Sequence, residues 1–188
     1  MKEEILRKVM LSGIADIMFD RYAGNNETEL PPERKMYFAA DGKTLILPSA
    51  NIVSFLSAQN TPSAPRRLLD PRKYKKIASA FLSYTSVSPM EIPFMRKGKP
   101  ITFSGFTSRG EGGIYIDERV ARLPKGIPNP KVRPVLSLPW DLNFEITLFP
   151  NEDFGEELLH DMFVRGGIAL GLGTFRGVYG KFKVSEWK

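Results

Sequence analysis

Leu142, Phe144, Ile146 and Leu148 alternate with Asn143, Glu145 and Thr147. That period of two predicts a strand with one buried face. A second period governs "SANIVSFLSAQ" (49–59), where Ile52, Phe55 and Leu56 fall at i, i+3 and i+4. With Ser49 able to cap its first turn, this segment predicts a helix. In "NEDFGEELLHDMFVRGG" (151–167), acids precede Leu158, Leu159, Met162 and Phe163, and Gly166 follows as a stop. This is an amphipathic helix with its acids at the favourable end of the helix dipole.

The other segments are read by the same rules. "EILRKVMLSGIADIMFD" opens with strand-like apolar positions and turns near Ser12–Gly13. Residues 23–35 are polar and proline-bearing, which predicts a loop. "MYFAADGKTLILP" predicts two short strands around an Asp41–Gly42 turn. Residues 60–73 form a Pro/Arg-rich loop, and "YKKIASAFLSYTSV" fits helix and strand equally. From Pro89 to Pro139, Pro and Gly break the chain into short strands with basic tips, and "VYGKFKV" is the last strand. No internal repeat is present.

At 188 residues with 42% hydrophobic and 26% charged content, the chain has the profile of a single globular unit. No apolar run approaches the roughly 18 residues of a membrane span. The start "MKEEILRKVM" lacks the basic and apolar regions of a signal peptide, so a cytoplasmic location without membrane contact is expected. The absence of cysteine excludes disulfides, thiolate catalysis and cysteine-bound metals.

Charge changes the picture more. The net charge is +6, and it is segregated. "PRRLLDPRKYKK" (65–76) carries Arg66, Arg67, Arg72, Lys73, Lys75 and Lys76 against Asp70 alone. Further acid-free basic clusters include Arg96, Lys97, Lys99 and Arg109, then Arg119, Arg122, Lys125, Lys131 and Arg133. The acids gather in 141–161. If these segments cluster by sign in space, one basic and one acidic surface follow, the basic one suited to a polyanion through counterion release; a solvated basic face is the other reading.

"GGIALGLGTFRGVYGKF" (166–182) holds six glycines in seventeen positions. No Lys-Ser or Lys-Thr follows them, which excludes a Walker loop. The order helix, loop, strand also opposes a dinucleotide fingerprint, so no nucleotide cofactor is expected. The pattern helix–G–x₃–GLG–x₂–R–x₃–G–x–F instead resembles the signature loop of the RAMP superfamily, which includes CRISPR effector backbone subunits and crRNA-processing proteins. Its elements here are Gly167, Gly171, Leu172, Gly173, Arg176, Gly180 and Phe182. "LILPSANIVSFLSAQ" (45–59) resembles the strand–Pro–helix segment of backbone subunits, and "GIADIMFDRY" (13–22) resembles their first strand and its continuation. The narrower likeness is to a small phage- or prophage-borne group of such proteins.

The resemblance implies an α+β fold: a modified ferredoxin-like or RRM-like antiparallel sheet, helices on one face, and inserted basic loops or arms at about 60–135. It also implies RNA or single-stranded DNA as ligand, head-to-tail copies of the chain, and other CRISPR-type effector subunits as partners. On an RRM-like sheet, aromatic rings would stack bases while basic loops track phosphates. Phe175 and Tyr179 flank Arg176, and Gly171 and Gly173 would let phosphates approach backbone amides. The same glycines also suit tight packing of the loop on the sheet. Ser49 and the amides of its helix start would face an anion.

Catalysis has weaker candidates. The only histidine, His160, reads as a half-buried helix residue. Asp16 and Asp20, at i and i+4, could share a helix face and hold a metal. The expectation is therefore a non-catalytic nucleic-acid-binding subunit. A metal-dependent ribonuclease and a phage decoy that imitates a backbone subunit are the alternatives.

Overall fold

The computed structural model describes residues 3–25, 28–57, 68, 74–122, 126, 128–152 and 154–188. Its strands are β1 Ile5–Gly13, β2 Ile17–Met18, β3 Tyr37–Phe38, β4 Leu45–Pro48, β5 Thr85–Ser88, β6 Glu91–Arg96, β7 Lys99–Pro100, β8 Ile114–Arg122, β9 Pro128–Leu136, β10 Asp141–Leu148 and β11 Phe182–Trp187. The helices are α1 Ser49–Ser57, α2 Tyr74–Tyr84 and α3 Glu156–Ala169, with a 3-10 turn at Pro32–Lys35.

The main sheet runs β11–β1–β10–β6–β4–β3, each pair antiparallel. Its first four strands are the fourth, first, third and second of a β-α-β-β-α-β unit, the ferredoxin-like order. The fold is thus α+β with a mostly antiparallel sheet. Alternation in β1 and β10 sends Val9, Leu11, Leu142, Phe144, Ile146 and Leu148 into one core with Ile52, Phe55 and Leu56 of α1, Phe81 of α2 and Phe163 of α3. The predicted period-two strand and both predicted helices bury these positions.

The sequence expectations are met unevenly. "YKKIASAFLSYTSV" is both structures in turn, α2 and then β5. The Asp41 carboxylate receives the Lys43 and Thr44 amides at 2.8 Å each, fixing the predicted turn. Gly166 does not stop α3, which continues to Ala169. Close packing explains the extension: a Cβ on Gly167 would lie 2.6 Å from the Phe182 ring, so glycine here brings α3 onto β11. Gly171, at φ +83°, then reverses the chain.

The proline-rich middle has the expected short strands only in β6 and β7. β8 and β9 form one nine-pair ribbon from Ile114↔Leu136 to Arg122↔Pro128, joined at its base by β2. Pro128, Pro130 and Pro134 share one parity along β9, so their missing N–H groups all face away from β8. The Pro134 carbonyl, on that outer edge, accepts the Phe19 amide at 3.0 Å.

Candidate nucleic-acid interface

A cleft of about 230 Å³ opens where β4 passes into α1, beside the segment after β2 and the glycine-rich loop. Phe19, Leu47 and Leu172 form its apolar wall. Its polar lining includes Asp20, Arg21, Tyr37, Asn51, Ser54 and Arg176. The three stretches that carry the sequence resemblance, 13–22, 45–59 and 166–182, each supply residues to it.

Each lining group has a local cause. Asn51 and Ser54 sit on the polar side of α1 because Ile52, Phe55 and Leu56 turn the other side into the core. The Arg21 guanidinium lies 4.7 Å over the Tyr37 ring, a cation–π contact. Arg176 enters from a loop anchored on both sides: the Leu172 amide donates to the Gly180 carbonyl, and the Thr174 amide to the Met18 carbonyl, each at 2.9 Å. Its Nε reaches the Gly173 carbonyl at 3.3 Å. Arg176 Nη1 is the one buried side-chain nitrogen or oxygen without a hydrogen-bonding partner among the described residues. Burial also pushes the Arg176 pKa down from the usual arginine value.

A second network braces the cleft. Lys35, only 2% exposed, donates to the Val132 carbonyl at 2.7 Å, pairs with Glu29, and lies 3.7 Å from Asp20. Arg133 bonds Asp20 at 2.7 Å, and Lys131 bonds Glu29 at 2.5 Å. The hydrogen bonds from Lys131 and Lys35 hold the Glu29 carboxyl below its ordinary range. This buried lysine ties the ribbon to the loop before β3.

The expected site residues separate into groups. Arg66, Arg67, Arg72 and Lys73 lie outside the described residues, as does the Lys75 side chain. Lys76 is exposed on α2, away from the cleft lining. Lys97 is exposed at the tip of the β6–β7 hairpin, with φ +50°. Arg96 is no free surface cation. It donates to the Pro139 carbonyl at 2.8 Å, the Ser137 carbonyl at 2.5 Å and the Gly112 carbonyl, clamping the base of the ribbon.

Several site expectations require correction. Ser49 does not line the cleft, and its amide is taken by the Met90 carbonyl at 2.8 Å. Gly171 is buried against the Gly180 backbone, and the amides of residues 171, 172, 174, 177, 179 and 180 all bond within the chain. Gly171, Gly173 and Gly180 therefore serve close packing, although Gly173 also borders the cleft. Tyr179 is 6% exposed and bonds Asp117 and Arg119, so its ring is no stacking platform. Phe175 is 45% exposed but lies 5.0 Å under the Arg119 guanidinium.

The sheet is no platform either. Its face opposite the helices presents Leu6, Lys8, Met10, Asn143, Glu145 and Thr147, while Phe94, Phe144 and Phe182 point into the core. That alternation leaves no aromatic for base stacking on β1 and β10, and Tyr37 of β3 is the strand aromatic that lines the cleft.

The two candidate metal carboxylates share no helix face, because 17–18 is strand. Asp16 accepts from the Tyr115 hydroxyl at 2.9 Å and the Leu138 amide at 3.0 Å, whereas Asp20 pairs with Arg133. No group of three potential metal ligands forms among the described residues. The His160 ring packs 4.8 Å from that of Trp187. No helix among the described residues is long and apolar enough to cross a membrane.

Arg21, Tyr37, Asn51 and Ser54 went unselected in the sequence reading. Their signals were present but short: a basic–aromatic pair, Arg21-Tyr22, inside a quoted stretch, and two polar residues at i and i+3 opposite an apolar helix face.

No protein-family model and no curated protein matches the chain. Among solved structures it is similar to a chain in the cryo-EM structure of the Type III-B Cmr-beta bound to cognate target RNA. The TM-score is 0.55 at 11% identity, with 98% of this chain and 60% of that chain covered. At that identity the likeness is one of fold, and this chain spans about 60% of its neighbour's length.

Proposed function

We propose that this chain is a non-catalytic, RAMP-type subunit that holds single-stranded nucleic acid, RNA foremost, in a CRISPR-type effector assembly. One observation carries the reading. Three stretches scattered over the chain, each resembling a backbone-subunit segment, meet at one cleft whose Arg176 has an unpartnered, buried N–H. Buried donors in native proteins are nearly always satisfied, and a nucleic-acid strand is rich in acceptors. The RNA bound in the Cmr-beta neighbour is in keeping with this reading.

In this reading the basic stretch 65–76 contributes phosphate contacts, and copies of the chain line up along the strand. The ribonuclease alternative has less support, since Asp16 and Asp20 are each engaged by protein partners. The test is direct. Protein purified without nuclease treatment should carry nucleic acid, and the stripped protein should bind labelled single-stranded RNA with an affinity that falls as salt rises. Arg21→Ala combined with Arg176→Ala should weaken that binding while leaving the melting temperature close to wild type. Equal RNA binding by the double variant would exclude the cleft.

A further inference from the structure

The cleft is small, and its walls differ. At about 230 Å³ it falls below the roughly 300–1,000 Å³ of sites for cofactor-sized ligands. It has room for one planar ring system. Phe19, Leu47 and Leu172 supply an apolar wall, and the Arg21–Tyr37 pair offers a flat cationic surface. Asn51 and Ser54 add an amide and a hydroxyl, neither of which has a hydrogen-bonding partner in the chain among the described residues. Arg176 adds a guanidinium, whose Nη1 is buried and without a hydrogen-bonding partner among the described residues.

A phosphate group uses this set poorly. It has no flat face for the Arg21–Tyr37 surface and no donor for the Asn51 carbonyl oxygen. A nucleobase uses all of it. Its ring can stack on a guanidinium plane or aromatic face, and its edge carries donors and acceptors together. The amide, with one donor side and one acceptor side, is the group that reads such an edge in pairs.

Resting on the strand-binding reading above, we infer that the cleft receives a single unpaired nucleobase, with Asn51, Ser54 and Arg176 along its hydrogen-bonding edge and Arg21 on its face. The chain then grips the strand through a base as well as through phosphates. Selectivity among bases comes from Asn51 and Ser54, both on α1.

Fluorescence titrations at one salt concentration test this with two labelled RNAs, a parent strand and the same strand made abasic throughout. Both carry the same phosphates. The wild-type protein should bind the abasic strand at least about ten-fold more weakly, corresponding to about 1.4 kcal/mol at 25 °C. An Asn51→Ala, Ser54→Ala variant, with both changes on the polar side of a helix whose core side is untouched, should show a clearly smaller difference. Equal wild-type affinity for the two strands overturns the base pocket while leaving strand binding intact. A parent-to-abasic ratio unchanged in the variant also overturns it. Failure to bind either strand would instead remove the strand-binding reading on which the pocket rests.

Discussion

The Tyr179 hydroxyl receives a hydrogen bond from Arg119 Nη2 at 2.8 Å, joining the glycine-rich loop to β8 of the ribbon. Arg119 also grips Asp117 through two bonds of 2.5 Å, and the Tyr179 hydroxyl lies 3.2 Å from the same carboxylate, to which it donates. Burial raises the Tyr179 pKa, so the phenol remains protonated, while the Arg119 hydrogen bond lowers that of Asp117. The phenol therefore acts as donor to a fixed anion and acceptor from a fixed cation. The loop that carries Arg176 and the ribbon thus share one hydrogen-bonded joint.

Tyr179→Phe removes both bonds and keeps the ring's packing. It should cost about 1.5–3 kcal/mol, the range for bonds to charged groups, in a urea denaturation curve. Amide exchange along 114–122 should quicken as the ribbon's base loosens. Unchanged stability and exchange would mean that this joint does not hold the ribbon.

Acid should also act at the other end of the sheet. Arg7 bonds Glu156 at 2.5 and 2.8 Å, and the Trp187 indole N–H adds a bond at 2.9 Å. The Arg7 bonds, opposed by burial and helped by Trp187, lower the Glu156 pKa below its ordinary 4.5. A carboxylate with a lowered folded-state pKa stabilises the fold above its unfolded pKa, and that contribution is lost as pH falls through the folded value. Arg7→Ala should therefore reduce stability near neutral pH and flatten its decline below pH 4.5. Tryptophan fluorescence, from Trp140 and Trp187 together, followed through acid titrations of both proteins, gives the measurement.

Glycines of the same loop should differ sharply on substitution. A Cβ on Gly180 would collide with the Leu172 carbonyl, whereas one on Gly177 meets nothing within 4 Å. Both have positive φ, +72° and +87°, so each replacement carries backbone strain. Gly177→Ala should cost only that strain, about 1–2 kcal/mol, whereas Gly180→Ala should exceed roughly 3 kcal/mol or prevent folding. Similar melting temperatures for the two variants would contradict the packing described for this loop.

This contrast shows how far the sequence could be read. Periodicity located the core faces of α1, α3 and β10, because local geometry alone sets which residues share a side. It could not show that Tyr179 is turned inward to Asp117, since that partner is 62 residues away. Six glycines marked a tight loop but not which amides it consumes. Charge clustering was blind in a similar way: Arg96 read as a surface cation because three backbone carbonyls leave no trace in composition. The cleft itself was half legible, with Arg176 chosen for its surroundings and Asn51 and Ser54 overlooked as ordinary polar helix residues.

Arg176 separates stability from function most cleanly. Its guanidinium is partly desolvated, with one long bond to the Gly173 carbonyl and a buried Nη1 that nothing in the described chain satisfies. Leaving a buried donor unpaired costs about 1–3 kcal/mol, so removing it should not weaken the fold. Arg176→Ala is expected to melt at or slightly above the wild-type temperature while losing about 1–3 kcal/mol of RNA affinity, the worth of a charge-assisted contact. Arg176→Lys keeps the charge but loses the planar fork. If the arginine serves only as a phosphate cation, lysine should restore most of the affinity; if it meets a base edge, lysine should bind nearly as poorly as alanine. A fall in melting temperature with affinity unchanged would make Arg176 a structural residue and remove it from the interface.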